Sequence, residues 1–298
     1  MTAAPRRFTP KTGPANREYV LTLACADAPG IVYAVTGFLV RHSGNILASQ
    51  QFDDRDTGLF FMRVHFETLD SGVTLESLRV GAGPVADSFG ATWELHPADA
   101  KYRVLIMVSR FGHCLNDLLF RYTIGALNIE VPAIVSNHED FAGLAAWHGI
   151  PYHHIPVTAA TKAAAEAELL QLVESYEVDL VVLARYMQVL SDEVCKALDG
   201  RAINIHHSFL PSFRGARPYH QAHERGVKLI GATAHYVTAV LDEGPIIEQE
   251  VIRVDHSTDP GQLIAAGRDV ECQALARAVK WHTEQRILRN GSRTVVFR

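Results

Sequence analysis

VDLVVLARYMQVLSDEVCKALDGRAINIH, residues 178–206, decides the architecture of most of the chain. VDLVVLAR is a continuous apolar run of strand length, SDEVCKALDG reads as a short helix, and RAINIH is a second apolar strand. A strand with no polar alternation is covered on both faces, and strands joined through helices run parallel. Working outward, the same alternation recurs. YRVLIMVS, NIEVPAIVS and YHHIPV read as strands, with the helices CLNDLLFRYTIG, EDFAGLAAWHG and TKAAAEAELLQLVESYE among them. TDPGQLIAAGRDVECQALARAVKWHTEQRIL reads as one long helix that starts after Asp259-Pro260. These runs predict a Rossmann-like α/β unit over residues 102–298, a mostly parallel sheet with helices on both faces.

Upstream the grammar changes. EYVLTLACAD reads as a strand, Pro29 and Gly30 open a helix with Ile31, Val35, Phe38 and Leu39 at helical spacing, and Gly44 ends it. NILASQQFDD and LFFMRVHFET flank the turn RDTG, and a second helix and the strand ATWELHP follow. The order βαββαβ over residues 18–96 is the ferredoxin-like split unit, with both helices on one face of its sheet. HPADA reads as the link between the units, residues 97–101 as linker, and residues 1–17 as a flexible tail.

Composition narrows the function classes. At 298 residues, 48% hydrophobic and 20% charged, the chain has a globular profile and is long enough for two domains. A net charge of −5 gives no electrostatic case for nucleic acid or an anionic membrane. Cys25, Cys114, Cys195 and Cys272 lie 77 or more residues apart and form no CxxC pair, so neither a disulfide framework nor a zinc ribbon is expected. With no apolar run of membrane length and no secretory leader, a cytoplasmic small-molecule protein is expected.

In open parallel sheets the ligand site lies beyond the carboxyl ends of the strands. RAINIH ends there. Its side chains alternate faces, so Asn204 and His206 share one side while Ile203 and Ile205 pack on the other. An amide that donates to a developing oxyanion and an imidazole that moves a proton suit attack on a carbonyl. Asp242, in the turn of TAVLDEGPIIEQE, is the candidate carboxylate. Burial is expected to raise its pKa toward the working pH. A rival reading gathers His220 and His223, three apart, with His206 and His207 into the site of a metal-dependent hydrolase; no HExxH or spaced Cys pair accompanies them, and no metal is expected.

INIHHSFLPSFRGARPYHQA, followed 36 residues after His206 by Asp242 in LDEGPII, resembles the formyltransferase family that handles 10-formyltetrahydrofolate, and RYMQVL resembles that family's pterin-binding segment. The resemblance covers roughly residues 101–285. It implies a catalytic set of Asn204, His206 and Asp242, a folate wall of Met187, Gln188, Val189 and Leu190, and an opposite wall with Gly244 and Pro245. It assigns Arg214 and Arg217 no settled role, and it implies a folate substrate with no separate cofactor. SRFGHCLNDLL stands where transferases that act on glycinamide ribonucleotide carry a small phosphate loop, and Arg110, Phe111 and His113 are bulky there. Residues 289–298 leave no room for the C-terminal domain of the transferases acting on methionyl-tRNA. The hydrolytic branch, the deformylases, is therefore the expectation, with tetrahydrofolate and formate as products, formate feeding purine synthesis, and formyl transfer to an amine as the alternative. DAPGIVYAVTGFLVRHSGNI resembles an ACT domain, which implies self-association into a homo-oligomer and an amino-acid effector, glycine or methionine, near Asp27, Gly30 and Asn45.

Overall fold

The structure is a computed structural model that describes residues 17–208, 210 and 218–298. It divides into two compact units, Met1–Asp99 and Ala100–Arg298.

The first unit runs β1 (Arg17–Ala26), α1 (Ile31–Arg41), β2 (Gly44–Asp54), β3 (Leu59–Thr68), α2 (Leu75–Ser88) and β4 (Thr92–Pro97). Its antiparallel sheet has the order β2-β3-β1-β4, which makes the unit ferredoxin-like. Alternate residues Tyr19, Leu21, Leu23 and Cys25 of β1 pack with Ile31, Val35, Phe38 and Leu39 of α1. The apolar period of 3.6 thus meets the apolar period of 2. The end of α1 differs from its expected form: the left-handed residue is Ser43 (φ 54°), and Gly44 already begins β2. Gly44 is favoured for closeness, because a Cβ there would lie 3.0 Å from the Leu39 carbonyl oxygen, a tight contact that the backbone would have to yield to relieve.

The second unit runs β5 (Tyr102–Val108), α3 (His113–Thr123), β6 (Ile129–Glu130), β7 (Ile134–Ser136), α4 (Ala142–Trp147), β8 (Tyr152–His154), α5 (Lys162–Ser175), β9 (Leu180–Leu183) and α6 (Asp192–Ala197). It continues with β10 (Ala202–His206), α7 (Pro218–Glu224), β11 (Leu229–Tyr236), β12 (Ile246–Arg253), α8 (Pro260–Thr283), β13 (Ile287–Asn290) and β14 (Arg293–Val296). The main sheet has the order β12-β11-β10-β9-β5-β7-β8 with β6 beside β5; it is parallel from β10 to β8 and antiparallel at β11 and β12.

Two cores flank this sheet. Val104, Ile106, Val182, Ile203 and Ile205 pack under α3 and α8, while Leu105, Met107, Val181, Leu183 and Ala202 pack under α5 and α6. Both faces are therefore covered. Asn204 and His206 continue the alternation of Ala202, which puts them on the α5 and α6 side at the rim.

Two boundaries depart from the sequence reading. NIEVPAIVS breaks into β6 and β7 around Pro132, which has no N–H to donate to a ladder. The last helix stops at Thr283; Gln285 is left-handed (φ 55°), and β13 and β14 form a hairpin around Gly291. At its other end α8 starts as the sequence indicates. Asp259 accepts from Gln262 N, Gln262 accepts from Asp259 N, and Pro260 occupies the first turn, where its missing N–H has no helical partner.

Candidate active site

A cavity of about 1150 Å³ opens beyond the carboxyl ends of β9 and β10. Asn204, His206, His235 and Asp242 line it together. Each arrives by a different route. Asn204 and His206 come from the end of β10. Asp242 comes from the turn between β11 and β12, where it is itself left-handed (φ 58°), a conformation that Asp tolerates better than most residues. The turn is seated by Gly244, whose added Cβ would lie 1.7 Å from the Tyr236 carbonyl oxygen. Only hydrogen fits there.

The geometry joins the three candidates. His206 Nδ1 lies 3.3 Å from Asp242 Oδ1. His206 Nε2 is buried with no hydrogen-bond partner among the described residues. Asn204 sits directly across the antiparallel ladder from His235, and its Nδ2 is 3.3 Å from His235 Nε2. His235 Nδ1 is 2.8 Å from the Tyr236 carbonyl oxygen and donates to it, so Nε2 keeps its lone pair and accepts from Asn204. That arrangement fixes which end of the Asn204 amide is the NH₂ and leaves its second N–H for a ligand.

His235 is the residue that sequence reasoning missed. It is 2% exposed within the apolar run LIGATAHYV, and the one signal was a histidine in a strand core. Burial lowers its pKa, which keeps it neutral, as the hydrogen-bond pattern requires.

Asp242 corrects an expectation. Its pKa is lowered, not raised: the hydrogen bond from His206 is the largest cause and outweighs burial, and the nearby imidazoles act in the same direction. The carboxylate is thus ionised throughout the neutral range.

His207 stacks on His206, with ring centroids 4.8 Å apart and planes 23° off parallel. Burial, then the charges of Arg185 and His206, push its pKa down to about 4. It is a neutral neighbour.

Met187, Gln188, Val189 and Leu190 line the cavity on one side and Gly244 on the other. The Arg185–Leu190 loop is pinned by Ser109, whose Oγ accepts from Met187 N at 3.0 Å and whose N–H donates to the Arg185 carbonyl at 3.2 Å. Pro245 is buried and is not among the lining residues; its carbonyl accepts from Tyr236 N, so it holds the turn and does not face the cavity. Arg214 and Arg217 lie outside the described residues.

The candidate effector residues do not converge. Asp27 and Gly30 are exposed at the turn after β1, whereas Asn45 opens β2 opposite Glu67 and donates to it at 2.8 Å. Ala26 pairs with Leu59 at the other end of β3, so Asn45 lies about eight residues away along that strand, roughly 26 Å at 3.3 Å per residue. Helix α1 carries the chain back along the sheet before β2 begins.

The rival metal reading fares no better in geometry. His223 is exposed on α7, and the side chain of His220 lies outside the described residues. Among the described residues His113, Cys114 and Glu271 have ligand atoms within 4.8 Å of one another. Arg185 Nε stands 3.4 Å from the same Glu271 oxygen that meets His113, so a guanidinium already balances that carboxylate.

A strand-end amide, and an imidazole in contact with an ionised carboxylate, all lining one cavity, are suited to acyl chemistry on a Rossmann-like sheet. The model of the formyl transferase family matches residues 102–279. Over 94% of this chain and 98% of the relative, the sequence is 55% identical to the formyltetrahydrofolate deformylase of Corynebacterium sp. (strain P-1). The crystal structure of formyltetrahydrofolate deformylase from Burkholderia mallei superposes with a TM-score of 0.91 at 55% identity, covering 95% of this chain and all of that one. Glycinamide ribonucleotide transformylase 1 from Symbiobacterium toebii is similar over 66% of this chain and 95% of its own, with a TM-score of 0.61 and 32% identity. The chain belongs to the formyl transferase family and, within it, to the formyltetrahydrofolate deformylases.

The depressed pKa of His207 has a measurable consequence. In the unfolded chain this imidazole takes a proton near pH 6.5, while in the folded protein it resists until about pH 4. Its contribution to stability is therefore complete above about pH 6.5 and is lost as pH falls toward 4. Urea melts at pH 7, 6, 5 and 4 should show falling stability, and His207→Gln should flatten that slope. An unchanged slope in the variant would contradict the assignment.

Proposed function

We propose that this protein hydrolyses 10-formyltetrahydrofolate to tetrahydrofolate and formate. The observation that carries the reading is the convergence of Asn204, His206 and Asp242 on one cavity, with 3.3 Å between His206 Nδ1 and Asp242 Oδ1, in a chain related over nearly its whole length to deformylases.

The chemistry follows from the positions. The pterin end of the folate lies along Met187–Leu190, and the formyl carbonyl reaches the free N–H of Asn204. Water attacks the formyl carbon while Asp242, ionised and aimed into the cavity, takes its proton. The oxyanion that forms is held by the Asn204 amide and by the Nε2–H of His206 in its protonated form. As the C–N10 bond breaks, His206 delivers that proton to N10. The proton on Asp242 then replaces it, and the short contact between the two residues gives it a path. Water supplies the hydroxyl that becomes part of formate, so no second substrate is needed.

Formyl transfer to an amine is the second reading, supported by the likeness of the second unit to glycinamide ribonucleotide transformylase. His113 favours water over a phosphate-bearing acceptor: it opens α3 and is closed onto Glu271 at 2.7 Å. A bulky hydrogen-bonded pair with a carboxylate stands at the helix end where an anion would otherwise be attracted.

On this reading the chain serves one-carbon metabolism in the cytoplasm, with formate available to purine synthesis, and the ferredoxin-like first unit supports assembly into a homo-oligomer. The first unit takes an amino acid, glycine or methionine, as effector at the Asp27–Gly30 turn. Titration of either against turnover should change the rate; flat responses to both would remove the effector.

Incubation with 10-formyltetrahydrofolate and no acceptor should release formate, and Asp242→Asn should lower kcat on the order of 10²-fold or more. The wild-type kcat/KM profile should carry no acid limb from Asp242 near neutrality, because that profile reports the free enzyme. Formate release that requires an added amine, or a variant within a few-fold of wild type, would overturn the reading.

A further inference from the structure

Beneath the loop that walls the cavity lies a carboxylate that the hydrolysis above does not use. Glu271 is 1% exposed, on a face of α8 otherwise made of Gly267, Val270, Ala274 and Leu275. A buried carboxylate is tolerated only when other groups compensate its charge. Its Oε2 lies 2.7 Å from His113 Nε2 and 3.4 Å from Arg185 Nε. Three elements therefore meet on one oxygen: α8, the start of α3 and the loop after β9.

Arg185 is held there in spite of two penalties. Its backbone is left-handed (φ 65°), a conformation that favours glycine, and its Nε–H is buried with no hydrogen-bond partner among the described residues. Strain kept at a site signals that the side chain itself is needed. The guanidinium lies over the Phe111 ring at 5.7 Å, lines the cavity, and stands close enough to His207 for its charge to act on that imidazole. His207 in turn stacks on His206. An ion pair, a through-space charge effect and a ring stack thus link α8 to the reacting rim.

We propose that Glu271 and Arg185 form a buried positioning pair for the reaction. Glu271 anchors and neutralises Arg185, and Arg185 fixes both the Arg185–Leu190 wall and the charge felt by the stacked His207 and His206. The pair acts through these residues and does not touch the formyl group. The inference rests on the hydrolytic reading given above. The groups facing the pair are His113 and Cys114 from α3 and His207 from the end of β10; Cys272 stands by Cys114, and Arg268 lies over the Phe111 ring that Arg185 also meets. Those facing the imidazoles from the far side are Asp242 and His235.

The two charges predict opposite effects. Glu271→Gln keeps the shape but leaves Arg185 without its counter-charge, which disfavours any protonated group at the rim. The pH limb of kcat should move to lower pH. Arg185→Gly removes the positive charge, relieves the left-handed backbone, and leaves Glu271 paired with His113, so it folds even if Glu271→Gln does not. Its limb should move to higher pH, and its KM for 10-formyltetrahydrofolate should rise because the wall keeps only its backbone bonds to Ser109 and has lost its tie to α8. Each variant should lose turnover by about 10-fold or more, as a misplaced reacting geometry does.

Formate release by the wild type without acceptor is measured alongside. If it is absent, the hydrolytic reading fails; if it is present, the variants judge this inference alone. Limbs displaced in opposite directions support the pair. Folded variants whose limbs and KM match the wild type, or limbs displaced in the same direction, would overturn it.

Discussion

A carboxylate oxygen 3.3 Å from an imidazole nitrogen ties the end of a parallel strand to a turn 36 residues further along the chain. Most of the second unit can be understood as the means of making that contact. The parallel strands β5, β9 and β10 bring their carboxyl ends to one edge, and two apolar cores hold the sheet from both sides. The antiparallel pair β11 and β12 then reverses direction, and its turn returns over the same edge with Asp242 at the tip. Gly244 lets that turn lie against the Tyr236 carbonyl at a distance no other residue permits.

Charge at the rim is organised in the same economical way. The carboxylate is stabilised by the imidazole it meets, two further imidazoles are kept neutral by burial, and one of them fixes the orientation of the Asn204 amide. In the proposed reaction the Asn204 amide meets the developing negative charge, and ionised Asp242 takes the proton that water sheds. Preorganisation of this kind needs no rearrangement during the reaction.

The legible part of this design was the part governed by short-range periodicity. Continuous apolar runs declare the covered sheet, and the two-residue period places Asn204 and His206 on one side. Asp242 was reachable only through spacing and resemblance, because a left-handed turn places it and local pattern does not describe such turns. His235 was silent for a different reason: its value comes from cross-strand register with Asn204, and an imidazole in an apolar strand looks like core. Asn45 was misgrouped because residues near in sequence to Gly30 are carried the length of a sheet away by α1. The direction of the Asp242 shift is not legible in sequence, because burial alone raises a carboxyl pKa and the opposing hydrogen bond from His206 exists only in the fold. The first boundary of α8, by contrast, is written in Asp259 and Pro260, a purely local cap.

The central claim is that His206 and Asp242 work as one unit, and a double-mutant cycle on kcat tests it most directly. Side chains that act together lose their function once, so the His206→Gln, Asp242→Asn double variant should be no more than a few-fold slower than the worse single variant. If instead the two losses multiply, the residues act independently and the account built on their contact is contradicted.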